Sequence, residues 1–479
     1  MGIPAEVQAV ISAGPYSDSW DSLAGFKVPG WYQDGKFGIF IHWGAYSVPA
    51  FGNEWYPRHM YVQGSREYLH HRETYGDQAT FGYKDLIDRF TAESFDAAEW
   101  AGLFRRAGAQ FVVPVAEHHD GFAMYDSART DWTAAKRGPK RDVIGQLAEA
   151  VRNQWLVFGA SSHRAEHWWF LNGGMRFDSD VRNPAWAGLY GPAQLESMPP
   201  NEEFLEDWLL RTCEIVDRYQ PQLLWFDWWI EQPAFEPYLR AFAAYYYNRG
   251  AQWSREVAIN YKNAAFREGT AVFDVERGQL GDIAGWFWQA DTAVARNSWG
   301  YVENLDYKDP VEIIQGLVDI VSKNGALLLN VGPTADGRIP DGDRTILEAI
   351  GDWLLVNGEA IYGTRPWRRF GEGPTVVGEG GFQDAERTSF GIQDVRYTQR
   401  GKVLYAVLLA PPDDGTVRLR ALGTEAGGVR EGVRAVKVLG GAGEVDWKRD
   451  ADALEVTLPQ GMRDGLPPGP VTVRVERET

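Results

Sequence analysis

Over roughly 330 residues one unit recurs: an amphipathic helix, a glycine or proline stop, and a short apolar run ending in a polar side chain. Trp100, Leu103, Phe104 and Ala107 share one face of a helix over 96–107. Gly108 stops it, and Phe111-Val112-Val113-Pro114-Val115 follows as a strand. Phe204, Trp208, Leu209, Ile215, Val216 and Tyr219 repeat the pattern over 202–219, and Pro221 closes that helix before Leu223-Leu224-Trp225-Phe226. Ile314, Leu317 and Val321 mark a third helix over 311–322. Asn324-Gly325 breaks it, and Ala326 to Val331 is the next strand. Phe37 to Ile41, Leu156 to Gly159, Val257 to Asn260 and Trp286 to Trp288 complete the strand candidates. Runs this apolar are buried on both faces, and helices between them impose parallel pairing with right-handed crossovers. About seven such strands with chemistry at their C-terminal ends predict a (β/α)8-like, TIM-type barrel over residues 1–367.

The texture changes beyond Trp367. Thr375-Val376-Val377, Lys402 to Leu409, Thr416 to Leu419, Val433 to Leu439, Leu454 to Leu458 and Val471 to Val475 are short alternating runs. Turn-forming stretches such as Pro411-Pro412-Asp413-Asp414-Gly415 separate them. Evenly spaced strands of this kind predict an antiparallel β-sandwich over 368–479. It has no histidine and a single tryptophan, Trp447, so a structural rather than catalytic part is expected of it.

The formal charge of −18 argues against a nucleic-acid partner. A lone cysteine, Cys213, excludes disulfides within the chain and any cysteine-built metal site; its helical setting predicts a buried, inert thiol. No apolar run approaches the ~18–20 residues of a membrane span. Met1 to Ser22 lacks the charged start and apolar core of a signal peptide, and a cytoplasmic bacterial protein is expected, with self-association left open.

The polar strand ends carry the chemistry. His42-Trp43 follows the first strand, with Asn53-Glu54-Trp55-Tyr56 in its loop. His118-His119-Asp120-Gly121-Phe122 follows the second, Ser161-Ser162-His163 the third, Asp227 the fourth and Asn260-Tyr261-Lys262-Asn263 the fifth. Phe273-Asp274-Val275-Glu276-Arg277-Gly278 comes next. In a barrel these points converge on one face. Asp227 stands out, because a buried strand needs no carboxylate at its end; it either caps the following loop or does chemistry. Two readings fit the cluster. His42, His118, His119, His163 and Asp227 are legitimate metal ligands, although adjacent histidines on a strand point to opposite faces. Alternatively, imidazoles, an indole and carboxylates suit the hydroxyl groups of a sugar, with a carboxylate pair to cleave it. Tryptophan-rich walls fit the second reading: 20 of the 21 tryptophans lie at or before Trp367.

Several stretches in register resemble the α-L-fucosidases of glycoside hydrolase family 29. They are Trp31 to Gly44, Glu54-Trp55-Tyr56, His118 to Phe122, Leu224-Trp225-Phe226-Asp227 and Ser322-Lys323-Asn324-Gly325 through Leu328 to Pro333. Residues 390 to 411 are similar to the family's C-terminal β-domain. The resemblance implies a retaining, exo-acting α-L-fucosidase that forms a covalent fucosyl-enzyme, takes fucosylated oligosaccharides or glycoconjugates as substrates and needs neither cofactor nor metal. By the same resemblance Asp227 matches the nucleophile and must be ionised to attack. His42, Glu54, Trp55, His118 and His119 match the residues that contact fucose hydroxyls, and Trp225 matches an aromatic beside the nucleophile. A non-catalytic fucose-binding protein is the alternative on the same scaffold. Glu276 is the chosen acid/base, ahead of Asp274, Glu54 and Glu166, because it follows the fifth strand at a suitable distance. Many relatives carry Tyr-Tyr-Ser after the third strand where this chain has Ala160-Ser161-Ser162-His163; His163 is expected to take over the sugar contact. Lys262 and Asn263 rank as secondary contacts. The linkage preference stays open.

Overall fold

The computed structural model describes residues 2–384, 389–411, 414–425 and 432–478. Eight parallel strands close into a barrel in chain order: β1 (Phe37–Ile41), β2 (Phe111–Glu117), β3 (Val157–Ser162), β4 (Leu223–Phe226), β5 (Ala258–Tyr261), β6 (Val272–Glu276), β7 (Trp288–Ala293) and β8 (Gly325–Val331). β8 pairs back onto β1. Alternate side chains fill the interior. Phe40, Val113, Val115, Leu223, Trp225, Ala258, Val272, Ala326 and Leu328 pack there, while Ile39, Ile41, Val112, Leu224, Phe226 and Ile259 join the outer core under the helices.

The three expected helices form at Ala97–Arg106, Glu202–Tyr219 and Pro310–Ser322. Asp96 caps the first through the N–H groups of Ala98 and Glu99, and Asn201 caps the second through Phe204. Asp309 caps the third, with Pro310 as its first residue. Two details depart from expectation. β6 is an eighth strand in what reads as a loop, and among the described residues no helix separates β5 from β6 or β6 from β7. β6 escapes detection because two of its five residues, Asp274 and Glu276, are carboxylates, so it lacks an apolar signature. β7 also begins at the end of the Trp286 to Trp288 run rather than spanning it.

The second part holds a five-stranded antiparallel sheet and a three-stranded one that enclose a common core. The first sheet contains β9 (Arg365–Glu372), β10 (Val395–Arg400), β11 (Val403–Leu408), β13 (Val433–Val438) and β16 (Val471–Arg477). The second contains β12 (Thr416–Leu419), β14 (Asp446–Arg449) and β15 (Leu454–Thr457). The expected division between residues 367 and 368 falls inside β9, which pairs with β10. Thr375-Val376-Val377 is no strand. It lies in the β9–β10 connection without a ladder partner, Thr375 tied to the Asp394 carboxylate and Val376 exposed. Pro412 and Asp413, in an expected turn, lie outside the described residues. Buried polar contacts weld the two parts together. Arg396 on β10 pairs with Asp319, which also holds Lys323 at 2.6 Å. Trp353 Nε1–H donates to the carbonyl of Pro470 at 2.7 Å.

Candidate active site

The period-two rule that sorts the barrel interior also aims the polar strand ends. His42 lies two residues after Phe40, Asp227 two after Trp225, Lys262 two after Asn260, Glu276 two after Asp274 and Asn330 two after Leu328. Each therefore continues an inward-facing row past the packed interior. The rows end at a pocket of about 710 Å³ that brings together all nine residues singled out from sequence: His42, Glu54, Trp55, His118, His119, His163, Trp225, Asp227 and Glu276.

Asp227 is buried, and burial alone would raise its carboxyl. Lys262 Nζ at 3.2 Å from Oδ1, the hydrogen bond from His163 and the His119 imidazole outweigh that and hold it well below the usual carboxylate range. The Trp228 backbone N–H also donates to Oδ1 at 2.8 Å. The group is thus ionised and fixed, as a nucleophile must be. Lys262 Nζ also lies 2.6 Å from Glu276 Oε2. Asp227 Oδ1 and Glu276 Oε2 therefore cannot be farther apart than about 6 Å, the two contacts taken together. Glu276 is only half-buried, at the edge of β6, not deep in the wall. Asp274 is buried beneath it, accepting from Trp225 Nε1–H at 2.7 Å and Gln289 Nε2 at 3.1 Å, and burial pushes it up to about 7. Asp291, 3.7 Å from Lys262, is raised well above the usual range by burial and by Asp274. One ammonium faces four carboxylates, and burial shifts Asp274 and Asp291 toward their neutral forms.

His163, expected as a sugar contact, lies against Asp227. Both ring nitrogens are engaged: Nδ1–H donates to Asp227 Oδ2 at 2.9 Å, and Ser161 Oγ donates to Nε2 at 2.9 Å. Burial pulls this imidazole down to about 4, consistent with a neutral ring in that one tautomer. His42 Nδ1–H and its backbone N–H both donate to Asn330 Oδ1, at 2.7 and 3.0 Å, which turns Nε2 toward the pocket as an acceptor. Burial and neighbouring histidines keep His42 and His118 neutral. His119 differs. Burial opposes its charge, but Glu166 at 3.3 Å and Asp227 raise it to about 9. Burial also lifts Glu166, which lies behind His119, to about 8. Glu166 does not line the pocket. Glu54 Oε2 accepts from the Trp299 N–H at 2.9 Å.

His118 and His119 both reach the pocket, their ring centroids 4.2 Å apart, contrary to the opposite-face argument. They lie beyond the end of β2, in the turn at Gly121 (φ 78°), where strand alternation no longer applies. Ring nitrogens of His42, His118 and His163 come within 4.8 Å of one another, as do donor atoms of His119, His163 and Asp227. Both sets draw on His163, whose two ring nitrogens face Ser161 Oγ and Asp227 Oδ2.

Sequence reasoning ranked Lys262 too low. A lysine at a strand end is ordinary until the fold places it between two carboxylates. Trp299 was missed altogether. It lines the pocket beside His42, 5.3 Å between ring centroids, from an irregular loop after β7 that carries no periodic signal. The second part of the chain is not purely structural either: Glu379, Gly380, Gly381 and Phe382, from the β9–β10 connection, line the same pocket.

A closed (β/α) barrel whose strand ends present an ionised, anchored carboxylate and a second one joined to it through Lys262, in a pocket walled by indoles and neutral imidazoles, defines a glycoside hydrolase. The profile described as "Alpha-L-fucosidase" matches residues 4–359, and that of the "Alpha-L-fucosidase C-terminal domain" matches residues 390–471. Tissue alpha-L-fucosidase of Rattus norvegicus is 32% identical over 470 residues, covering 95% of this chain and 90% of that protein. The Homo sapiens tissue enzyme is 32% identical, covering 95% and 89%. The crystal structure of Thermotoga maritima alpha-fucosidase in complex with fucose superposes with a TM-score of 0.76 at 30% identity, covering 96% of this chain and 100% of that one. This chain belongs to the α-L-fucosidase family.

Proposed function

We propose that the chain releases terminal α-L-fucose from glycans with retention of anomeric configuration, Asp227 acting as nucleophile and Glu276 as acid/base. Asp227 attacks the anomeric carbon as the glycosidic C–O bond breaks, and the Glu276 proton goes to the departing oxygen. Glu276 then takes a proton from water, the water oxygen attacks the anomeric carbon, and Asp227 leaves as carboxylate. The bridging lysine carries this reading: Lys262 touches both carboxylates, so one oxygen of Asp227 lies within about 6 Å of one oxygen of Glu276, near enough for one group to attack the anomeric carbon while the other protonates the departing oxygen. His163, Lys262 and the Trp228 N–H hold the nucleophile, while His42, His118, Glu54, Trp55 and Trp299 offer acceptors, donors and a wall for the sugar. A purely fucose-binding protein would not need an ionised carboxylate fixed by three donors beside a second carboxylate.

Azide rescue tests the acid/base. With an aryl fucoside that has a good leaving group, azide should restore turnover to Glu276→Ala and give α-fucosyl azide, because it attacks the fucosyl-enzyme from the side that Glu276 occupied. Rescue of Asp274→Ala instead would transfer the role. An acidic composition with a single cysteine supports a bacterial cytoplasmic enzyme, which fractionation of the activity in its host would check.

A further inference from the structure

The β9–β10 connection reaches the pocket as a clip on the acid/base strand. Phe382 N–H donates to the Glu276 carbonyl at 2.8 Å and Gln383 N–H to the Arg277 carbonyl at 2.8 Å. Gly380 and Gln279 exchange backbone bonds at 2.9 and 3.2 Å. Asp384 anchors the clip, accepting from Lys308 Nζ at 2.5 Å and Thr292 Oγ1 at 2.7 Å. The approach demands glycine at 278, where a Cβ would lie 1.9 Å from the Gly380 carbonyl oxygen.

This anchored segment displays an aromatic ring to solvent. Phe382 is 66% exposed, with a φ of 58° that a residue bearing a Cβ seldom adopts. Folding gains nothing from a phenyl ring held so, whereas a ligand with an apolar face would. Phe273 and Leu280 line the same pocket, and Glu379 supplies an acceptor three residues before Phe382. The leaving oxygen must sit beside Glu276 to receive its proton, so whatever that oxygen carries extends along the clip bonded to Glu276. At about 710 Å³ the pocket has room for more than the fucose ring.

We propose that residues 379–384 form the leaving-group subsite, that the departing group is a sugar ring stacked on Phe382, and that Glu379 accepts from its hydroxyls. The inference rests on the fucosidase reading with Glu276 as acid/base. α-L-Fucosyl fluoride, whose leaving group has no ring, and a fucosyl-galactose disaccharide that the wild-type chain hydrolyses separate the two ideas. Phe382→Ala should lower kcat/KM for the disaccharide about fivefold to tenfold relative to that for the fluoride. Phe382→Trp, which keeps a stacking ring, should restore the ratio, and Glu379→Gln should lower it. An unchanged ratio in Phe382→Ala, whether from no loss or from equal loss on both substrates, would overturn the subsite. Failure of the wild-type chain to turn over fucosyl fluoride would overturn the fucosidase reading itself and the subsite with it.

Discussion

Replacing Lys262 by methionine removes the cation that holds Asp227 ionised while keeping the length of the side chain. At 3.2 Å and an effective dielectric constant of about 20, the Lys262–Asp227 attraction is about 5 kcal/mol, or roughly three to four pKa units. Water entering the vacated space returns part of this, so the Asp227 carboxyl should rise by about one to three units. The sign follows from the attack: a protonated carboxyl cannot act as nucleophile, so a raised pKa moves the acid limb of kcat/KM to higher pH. The assay is the pH profile with α-L-fucosyl fluoride, whose leaving group needs no proton from Glu276. The wild-type enzyme should keep its rate to the lowest pH at which it stays folded, whereas Lys262→Met should lose it at a clearly higher pH. An unmoved acid limb in a folded Lys262→Met protein would refute the electrostatic account of Asp227.

His163→Ala removes the second anchor of Asp227; kcat should fall about 100-fold with little change in KM, because the nucleophile loses its aim while the sugar contacts remain. A rise in KM at unchanged kcat would instead mark His163 as a sugar contact. The folded pKa of His119 is raised from 6.5 to about 9 and that of Glu166 from 4.5 to about 8, so the native pair holds protons that the unfolded chain releases. Its contribution is complete below the unfolded values and fades as pH rises to about 9. Glu166→Gln should therefore show a smaller drop in melting temperature than wild type between about pH 6.5 and pH 9, and an equal or steeper drop would contradict the pairing.

The barrel is legible because its signal is local. Helix faces such as Trp100/Leu103/Phe104, their caps and the apolar strand runs each specify an element within a dozen residues, and period two then fixes which strand-end side chains face inward. Leu223, Trp225 and Asp227 show this most plainly, two packing residues followed by a reactive one on the same face. The signal fails where chemistry replaces packing. Val272–Glu276 is a strand whose inward row runs from Val272 to two carboxylates, Asp274 and Glu276, so no apolar rhythm announces it. Lys262 and His163 acquire their roles from partners 35 and 64 residues away, and no local pattern encodes such a meeting. The clip at Glu379 to Asp384 is farther still, its partner Glu276 lying more than 100 residues earlier in the chain. A connection that pairs only through backbone atoms and one carboxylate has no periodicity to read.

The assignment of Asp227 is tested most directly by peptide mass spectrometry after reaction with 2-deoxy-2-fluoro-α-L-fucosyl fluoride, which slows hydrolysis of the glycosyl-enzyme and lets it accumulate. A covalent 2-fluorofucosyl adduct on the peptide containing Leu224-Trp225-Phe226-Asp227, and its absence from Asp227→Ala, is the predicted result. An adduct on any other carboxylate, or turnover by a folded Asp227→Ala protein at the wild-type rate, would contradict the account.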